Sequence, residues 1–375
     1  MCSIGEDDFG DEGGAHSMPV TEKETPADLG TCKKCGSPAV VKLIFKEAQC
    51  KDCFLYYIRH KFRANLGSTK ILPRNCKVLT VFDGSAGSVC LLDLVITSLR
   101  MDNHKRLNMD HCVVFLDDSF LTKRKESINK VVQQFQEEFY YISLADDSNT
   151  PKKWEAEVEV SNDEAFLKMR MNFSSQTAWE DFLEQRRKNL IRKVAKKLNC
   201  SHVFLPDITI DLASSLLSNI SLGRGSSVAL DVGFIDDRDP EVTLLRPIRD
   251  LTMKEVENHI RVRQLKCLQA AASDSQGSIQ SLTEKFVLNL QENFSATVST
   301  VFRTGDKLAP KNFSDGNCVL CQSNLDWKGS RTLSAVEFSS TVSTGEEVAP
   351  RDEQYCFACQ KIISDCPGIS QYIIK

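Results

Sequence analysis

The sequence predicts an α/β protein, a doubly wound parallel sheet with one cysteine-rich metal module at its N-terminal end and a second at its C-terminal end. From Lys77 onward, short continuous apolar runs alternate with segments of helical periodicity, the pattern of strands buried on both faces and joined by crossover helices. Eight of the fifteen cysteines fall into four CxxC pairs, two near each end of the chain. A turn of small residues, Asp83-Gly84-Ser85-Ala86-Gly87-Ser88, separates the first apolar run from the first periodic segment. At 375 residues and 41% hydrophobic content, the chain can fill one large core with appended modules.

Residues 1–29 are expected to form a disordered acidic tail, in which Glu6, Asp7, Asp8, Asp11, Glu12, Glu22, Glu24 and Asp28 oppose Lys23 alone. Residues 30–56 follow as a zinc ribbon. Cys32/Cys35 and Cys50/Cys53 stand fourteen residues apart, and CxxC knuckles point paired sulfurs at one tetrahedral ion; the Val40–Phe45 run would supply a hairpin. Thiolates alone do not separate zinc from an iron–sulfur cluster, and a redox-active CxxC is the third reading, disfavoured because the pair is duplicated nearby.

Residues 57–300 read as the α/β domain. Val78–Phe82 is a buried strand, followed by a helix with Val89, Leu92, Val95, Ile96 and Leu99 inward and Ser88 as its cap. Further strands are expected at Val113–Leu116, Tyr140–Leu144, His202–Leu205 and the run ending in Arg246-Pro247-Ile248-Arg249. Residues 145–175 break the rhythm as a surface insertion. A long amphipathic helix then buries Trp179, Phe182, Leu190 and Val194 and carries Arg187, Lys188, Arg192, Lys193, Lys196 and Lys197. A solvated face and an RNA-facing patch both fit these cations, the latter because nearby acidic residues are few. Thr252 with Glu255 marks a capping box, and a helix with Leu282, Phe286 and Leu290 leads into residues 301–375, the C-terminal module. There Cys318/Cys321 and Cys356/Cys359 stand thirty-four residues apart and are expected to share a second metal.

The net charge of −4 excludes a bulk electrostatic binder of nucleic acid, although without the acidic tail the remainder is slightly basic. No apolar run reaches the length of a membrane helix and no secretory leader is visible, so a soluble cytoplasmic protein without membrane contact is expected. In that reducing setting paired cysteines point to metal rather than disulfides, and the seven others (Cys2, Cys76, Cys90, Cys112, Cys200, Cys267 and Cys366) to small buried apolar residues.

The paired cysteines, the strand–DGSAGS–helix unit, the Pro206–Asn219 segment, the Gly223-Arg224-Gly225 loop and the Arg246–Arg249 turn together resemble the PP-loop ATP pyrophosphatase superfamily. The match is to its cytosolic thiouridylase subunit 2 (cytoplasmic tRNA 2-thiolation protein 2) family, over roughly residues 30–375. The superfamily binds ATP on Ser-Gly-Gly-x-Asp-Ser, of which only Gly84 and Ser88 remain here. Asp83 in the first position puts a carboxylate where phosphate would sit, so the loop reads as vestigial and ATP binding is not expected. Where active members carry Gly-His-Asn-Ala-Asp-Asp, this chain has Pro206-Asp207-Ile208-Thr209-Ile210-Asp211, and in place of a central sulfur-handling cysteine pair it has Cys200 alone. The resemblance implies a non-catalytic subunit that pairs with a catalytic thiouridylase subunit. The complex would thiolate the modified wobble uridine (5-methoxycarbonylmethyl-2-thiouridine) of tRNAs for Lys, Glu and Gln, with sulfur from a thiocarboxylated ubiquitin-related modifier. Arg224, Arg187, Lys188, Arg192 and Lys196 are the candidate tRNA contacts. An active ATP-dependent thiolase subunit and a zinc-dependent protein-interaction adaptor are the rival readings.

Overall fold

The computed structural model describes residues 29–43, 47–102, 106–117, 125–146, 150–154, 164–268, 277–308, 316–325, 335–344 and 354–369. The acidic tail up to Asp28 and Cys2 lie outside them, as do parts of the Val40–Phe45 run, of the insertion at 145–175 and of the loop after Leu268. The chain divides into two compact units after Phe54.

The first unit is built by its cysteine knuckles. The Gly36 N–H donates to the Cys32 carbonyl at 2.8 Å, and Thr31 and Val41 form antiparallel bridges to Pro38 and Gln49. The hairpin expected over Val40–Phe45 is thus reduced, among the described residues, to an isolated bridge.

Among the described residues of the second unit seven strands form one sheet. Strands β1 (Cys76–Phe82), β2 (Met109–Asp117), β3 (Phe139–Ser143), β5 (His202–Phe204) and β7 (Thr243–Leu245) are parallel. Two-residue strands β4 (Lys152–Lys153) and β6 (Ile235–Asp236) run antiparallel at the two edges. The order β4-β3-β2-β1-β5-β7-β6 confirms the doubly wound sheet and puts the reversal of winding between β1 and β5.

Alternate strand residues serve opposite layers, as a period of two requires. Helix α1 (Lys51–Thr69) precedes the sheet in the chain. Val113, Phe115 and Tyr141 pack with Val89 and Leu92 of α2 (Ala86–Leu99) and Ile128 and Val131 of α3 (Lys125–Val132). Val114, Leu116 and Ile142 face the other way, toward Trp179, Phe182, Leu190 and Val194 of α5 (Gln176–Lys197), which follows the short α4 (Glu164–Arg170).

Helix α2 is capped by Ser85, whose Oγ accepts the Ser88 N–H at 3.2 Å, and not by Ser88. The chain has already turned at Gly84, in the left-handed region at φ +81°, so the helix opens three residues earlier than expected. Beyond β5 come α6 (Thr209–Leu222), the one-turn α7 (Val228–Val232) and α8 (Met253–Arg263). Helix α8 has the expected reciprocal cap, with the Thr252 N–H on Glu255 Oε2 and the Glu255 N–H on Thr252 Oγ1.

Helices α9 (Ile279–Asn293) and α10 (Ser295–Asp306) pack on α6, and α11 (Ala335–Thr344) and α12 (Phe357–Asp365) follow. The described residues of 301–375, expected as a C-terminal cysteine-rich module, cluster with the second unit. Cys318, Cys321, Cys356 and Cys359 share one buried cluster with Leu79, Val114 and Ile142 of the sheet. Of the unpaired cysteines, Cys90, Cys112, Cys200 and Cys366 are buried and Cys76 and Cys267 half-buried. No helix among the described residues is long and apolar enough to cross a membrane.

Candidate functional site

The winding reversal brings the turn after β1 beside the segment after β5, the place where open α/β sheets bind ligands. Here the turn is filled by the protein's own groups. Asp83 Oδ1 accepts the Ser85 N–H at 2.9 Å, so its carboxylate takes an amide that a phosphate oxygen would need. Ser85 Oγ takes the Ser88 N–H as the helix cap. The Gly84 carbonyl accepts the Leu268 N–H at 2.8 Å, and the Leu268 side chain lies so close that a Cβ on Gly84 would come within 2.6 Å of its Cδ1. A Cβ on Gly87 would meet the Pro206 carbonyl at 2.8 Å.

The surrounding charge is acidic. Desolvation first, then the charges of Asp207, Asp83 and Glu284, push the Asp211 carboxyl up to about 7. Asp207 is itself bound by Arg246 at 2.8 Å. Of the expected loop residues, Gly84 supplies a turn and Ser88 an internal hydrogen bond, its Oγ donating to the Ser85 carbonyl at 3.0 Å.

The paired cysteines converge as two groups of four. Within each group all the sulfurs lie within 4.8 Å of one another. The closest contacts are Cys35–Cys50 at 3.4 Å, Cys35–Cys53 at 3.7 Å and Cys321–Cys356 at 3.6 Å. Four sulfurs held about 2.3 Å from one tetrahedral ion stand about 3.8 Å apart, so both sets have the dimensions of a single-ion site.

Their protons cannot all leave unaided. In the C-terminal group the contact with Cys318 is the first of several that hold the Cys321 thiol well below its ordinary value, while contacts led by that with Cys318 push Cys356 and Cys359 up. In the N-terminal group the Cys50 backbone does most to lower Cys32 to about 6, and the Cys50 sulfur does most to push Cys53 up to about 12. A metal cation lets four adjacent thiolates coexist, and both donor sets fit one. The settings differ. All four C-terminal cysteines are buried, whereas Cys35 is exposed and Cys53 half-buried.

The cations chosen as a tRNA-facing patch are mostly interior, which corrects that expectation. Arg224 is 2% exposed and its Nη2 meets Asp181 Oδ2 at 2.8 Å. Lys188, 8% exposed, is 3.1 Å from Asp231, and Arg192, 2% exposed, is 3.0 Å from Asp236. Arg187 and Lys196 stay at the surface, paired with Glu184 at 3.0 Å and with Asp239 at 2.9 Å. For Lys188, Arg192 and Lys196 the compensating acids arrive from residues 231–239, more than thirty positions downstream, in the acid-rich run Asp231, Asp236, Asp237 and Asp239. That run was the available signal.

Sequence reading also missed the buried apposition of Cys112, on β2, and Cys200, whose sulfurs are 3.4 Å apart. Cys112 pairs in register with Leu79, at the middle of β1, whereas the Asp83 turn follows the end of the strand. The pair is therefore not part of that turn.

Comparison with known proteins agrees with this geometry. A family model described as cytoplasmic tRNA 2-thiolation protein 2 matches residues 278–364. The chain is 42% identical to the protein of that description from Drosophila mojavensis, over 96% of this chain and 98% of the relative. The chain belongs to this family. The cytoplasmic tRNA 2-thiolation protein 2 of Drosophila melanogaster is 44% identical over 92% of this chain and 89% of its own length, and that of Aedes aegypti 39% over 92% and 87%. Among solved structures, the U34-tRNA thiolase NcsA from Methanococcus maripaludis with its [4Fe-4S] cluster superposes with a TM-score of 0.57, covering 86% of this chain and 99% of that one. At 16% identity this likeness shows that this tRNA 2-thiolation protein 2 family member shares the fold, and nothing finer.

Proposed function

We propose that this chain is the non-catalytic subunit of a cytosolic tRNA 2-thiolation complex, paired with a catalytic PP-loop thiouridylase subunit. The partner would adenylate the wobble uridine of tRNAs for Lys, Glu and Gln, because a carbonyl oxygen leaves poorly until activated, and sulfur would come from a thiocarboxylated ubiquitin-related modifier. The observation that carries the reading is the filled turn. With Asp83 bonded to the Ser85 amide, Ser85 Oγ bonded to the Ser88 amide and Leu268 seated on Gly84, the protein's own groups take two of the amides and part of the space that a phosphate would need. Zinc is the metal proposed for both cysteine groups, supported by sulfur contacts of 3.4–3.7 Å in one group and 3.6 Å in the other, spacings suited to one ion.

Titration of the purified chain with ATP is expected to give no saturable binding. Mass spectrometry of digested tRNA from cells lacking the chain is expected to show loss of 2-thiolated wobble uridine, restored equally by wild type and by Ser88→Ala. Saturable ATP binding, together with failure of Ser88→Ala to restore thiolation, would mean an active subunit. Undiminished thiolation without the chain would bring forward the zinc-dependent adaptor.

The tRNA contacts proposed within α5 reduce to Arg187 and Lys196. Each charge reversal, Arg187→Glu or Lys196→Glu, is expected to weaken tRNA binding by the complex and to lower the salt slope by about one. An unchanged slope would place the tRNA elsewhere.

A further inference from the structure

We propose that the Gly223-Arg224 turn is the countercharge clamp of the C-terminal four-cysteine metal centre, with Arg224 a positioning residue that holds the Cys359 sulfur through N–H···S bonds. The inference rests on the metal reading above. Arg224 Nη1 and Nη2 lie 3.4 and 3.5 Å from Cys359 Sγ. The same guanidinium donates from Nε and Nη2 to Asp181 at 3.2 and 2.8 Å. Asp181 is held in turn by the Gln185 amide at 3.2 Å, so the fork has one orientation and its remaining donors point at the sulfur.

The backbone is shaped for this approach. Gly223 ends α6 in the left-handed region at φ +86°, and a Cβ there would come within 2.7 Å of the Phe357 ring, two residues before Cys359. Glycine thus lets the end of α6 close against α12. The Arg224 N–H returns to the Asn219 carbonyl at 2.8 Å and the Ser227 hydroxyl donates to the Arg224 carbonyl at 3.3 Å, fixing the turn from both sides.

The physical need is charge. Four thiolates around a divalent cation leave a net double negative charge, costly in a core where all four cysteines are buried. One fixed cation with N–H groups on a ligand sulfur lowers that cost and orients the ligand. The Asp181 carboxylate keeps the guanidinium from being the unpaired charge when metal is absent.

The test uses the full chain with Cys32→Ser/Cys35→Ser, so that the metal signal comes from the C-terminal group. Arg224→Met and Arg224→Lys are loaded with zinc for release to a chelator and with cobalt(II) for the thiolate-to-metal charge-transfer band. The clamp predicts that Arg224→Met still loads metal but releases it about 10- to 100-fold faster, with the band moved to lower energy, and that Arg224→Lys lies between. A folded Arg224→Met with the parent's release rate and band would overturn the proposal. If Arg224→Met does not fold, the same two readings on Arg224→Lys decide it, parental values again counting against the clamp. Full metal content after Cys318→Ser/Cys321→Ser would instead remove the metal reading, and the clamp with it.

Discussion

Replacing Cys318 and Cys321 by serine is expected to destabilise the whole second unit by at least about 4 kcal/mol, a loss of roughly 10 °C in its melting temperature. The reason is position. The four sulfurs lie in the same buried cluster as strand residues Leu79 and Val114 and helix residues Phe182 and Val194. The knuckle is also tied to the sheet layer by polar bonds. Asn189 of α5 donates to the Leu320 carbonyl at 2.7 Å, and Arg238 to Ser323 Oγ at 2.8 Å. Without metal those bonds must hold a segment whose ends are otherwise set by the cysteines.

The matching change at Cys32 and Cys35 is expected to cost far less, because Cys35 is exposed and Cys53 half-buried. Stripping with a chelator while following thiol release should accordingly empty the N-terminal group first. Equal melting losses for the two double variants, or first release from the C-terminal group, would contradict this order.

Arg238→Met is expected to cost about 3–5 kcal/mol in urea unfolding, the loss typical of stranding buried charges. Arg238 meets Asp231 at 2.5 Å and Asp236 at 2.7 Å, with all three side chains at most 4% exposed. Burial would raise both carboxyls. The Arg238 guanidinium, aided by Lys188 at Asp231 and Arg192 at Asp236, overrides it and holds both below the usual carboxylate range. Groups depressed in the folded state stabilise it fully above their unfolded pKa of about 4, and that stability is lost as pH falls through the folded values. The stability that Asp231 and Asp236 contribute should therefore persist from neutrality to about pH 4 and be lost below. In Arg238→Met the two acids take up protons at higher pH, so the loss should begin earlier. A variant that unfolds at the parent's urea midpoint and with its acid profile would show that Lys188 and Arg192 suffice.

Much of the fold was legible because it is written in local pattern. Val78–Phe82 and Val113–Leu116 are apolar runs that only a strand buried on both faces explains, and Thr252 with Glu255 reads as a cap at a distance of three residues. The cysteine groups were legible for the same reason, each knuckle being a local CxxC. What stayed hidden depends on long-range pairing. Lys188 and Arg192 recur four residues apart on α5 like any solvated stripe, and only the return of residues 231–239 turns them inward. Arg224 stood as a candidate tRNA contact because Asp181 and Cys359, its partners, are 43 and 135 positions away. Cys112 and Cys200, 88 apart, met in the core without any spacing to announce them.

The leucine seated on Gly84 has a consequence for how this protein survives in the cell. A PP-loop protein with an open site gains folding free energy whenever its nucleotide is abundant, since binding draws the equilibrium toward the native state. On the reading proposed here, a chain that closes the turn with Asp83 and Leu268 has cut that link, so its half-life should be indifferent to the energy charge of the cell. Its native population then answers to the supply of metal for its thiolates, which makes nutrition rather than respiration the setting in which its abundance would vary.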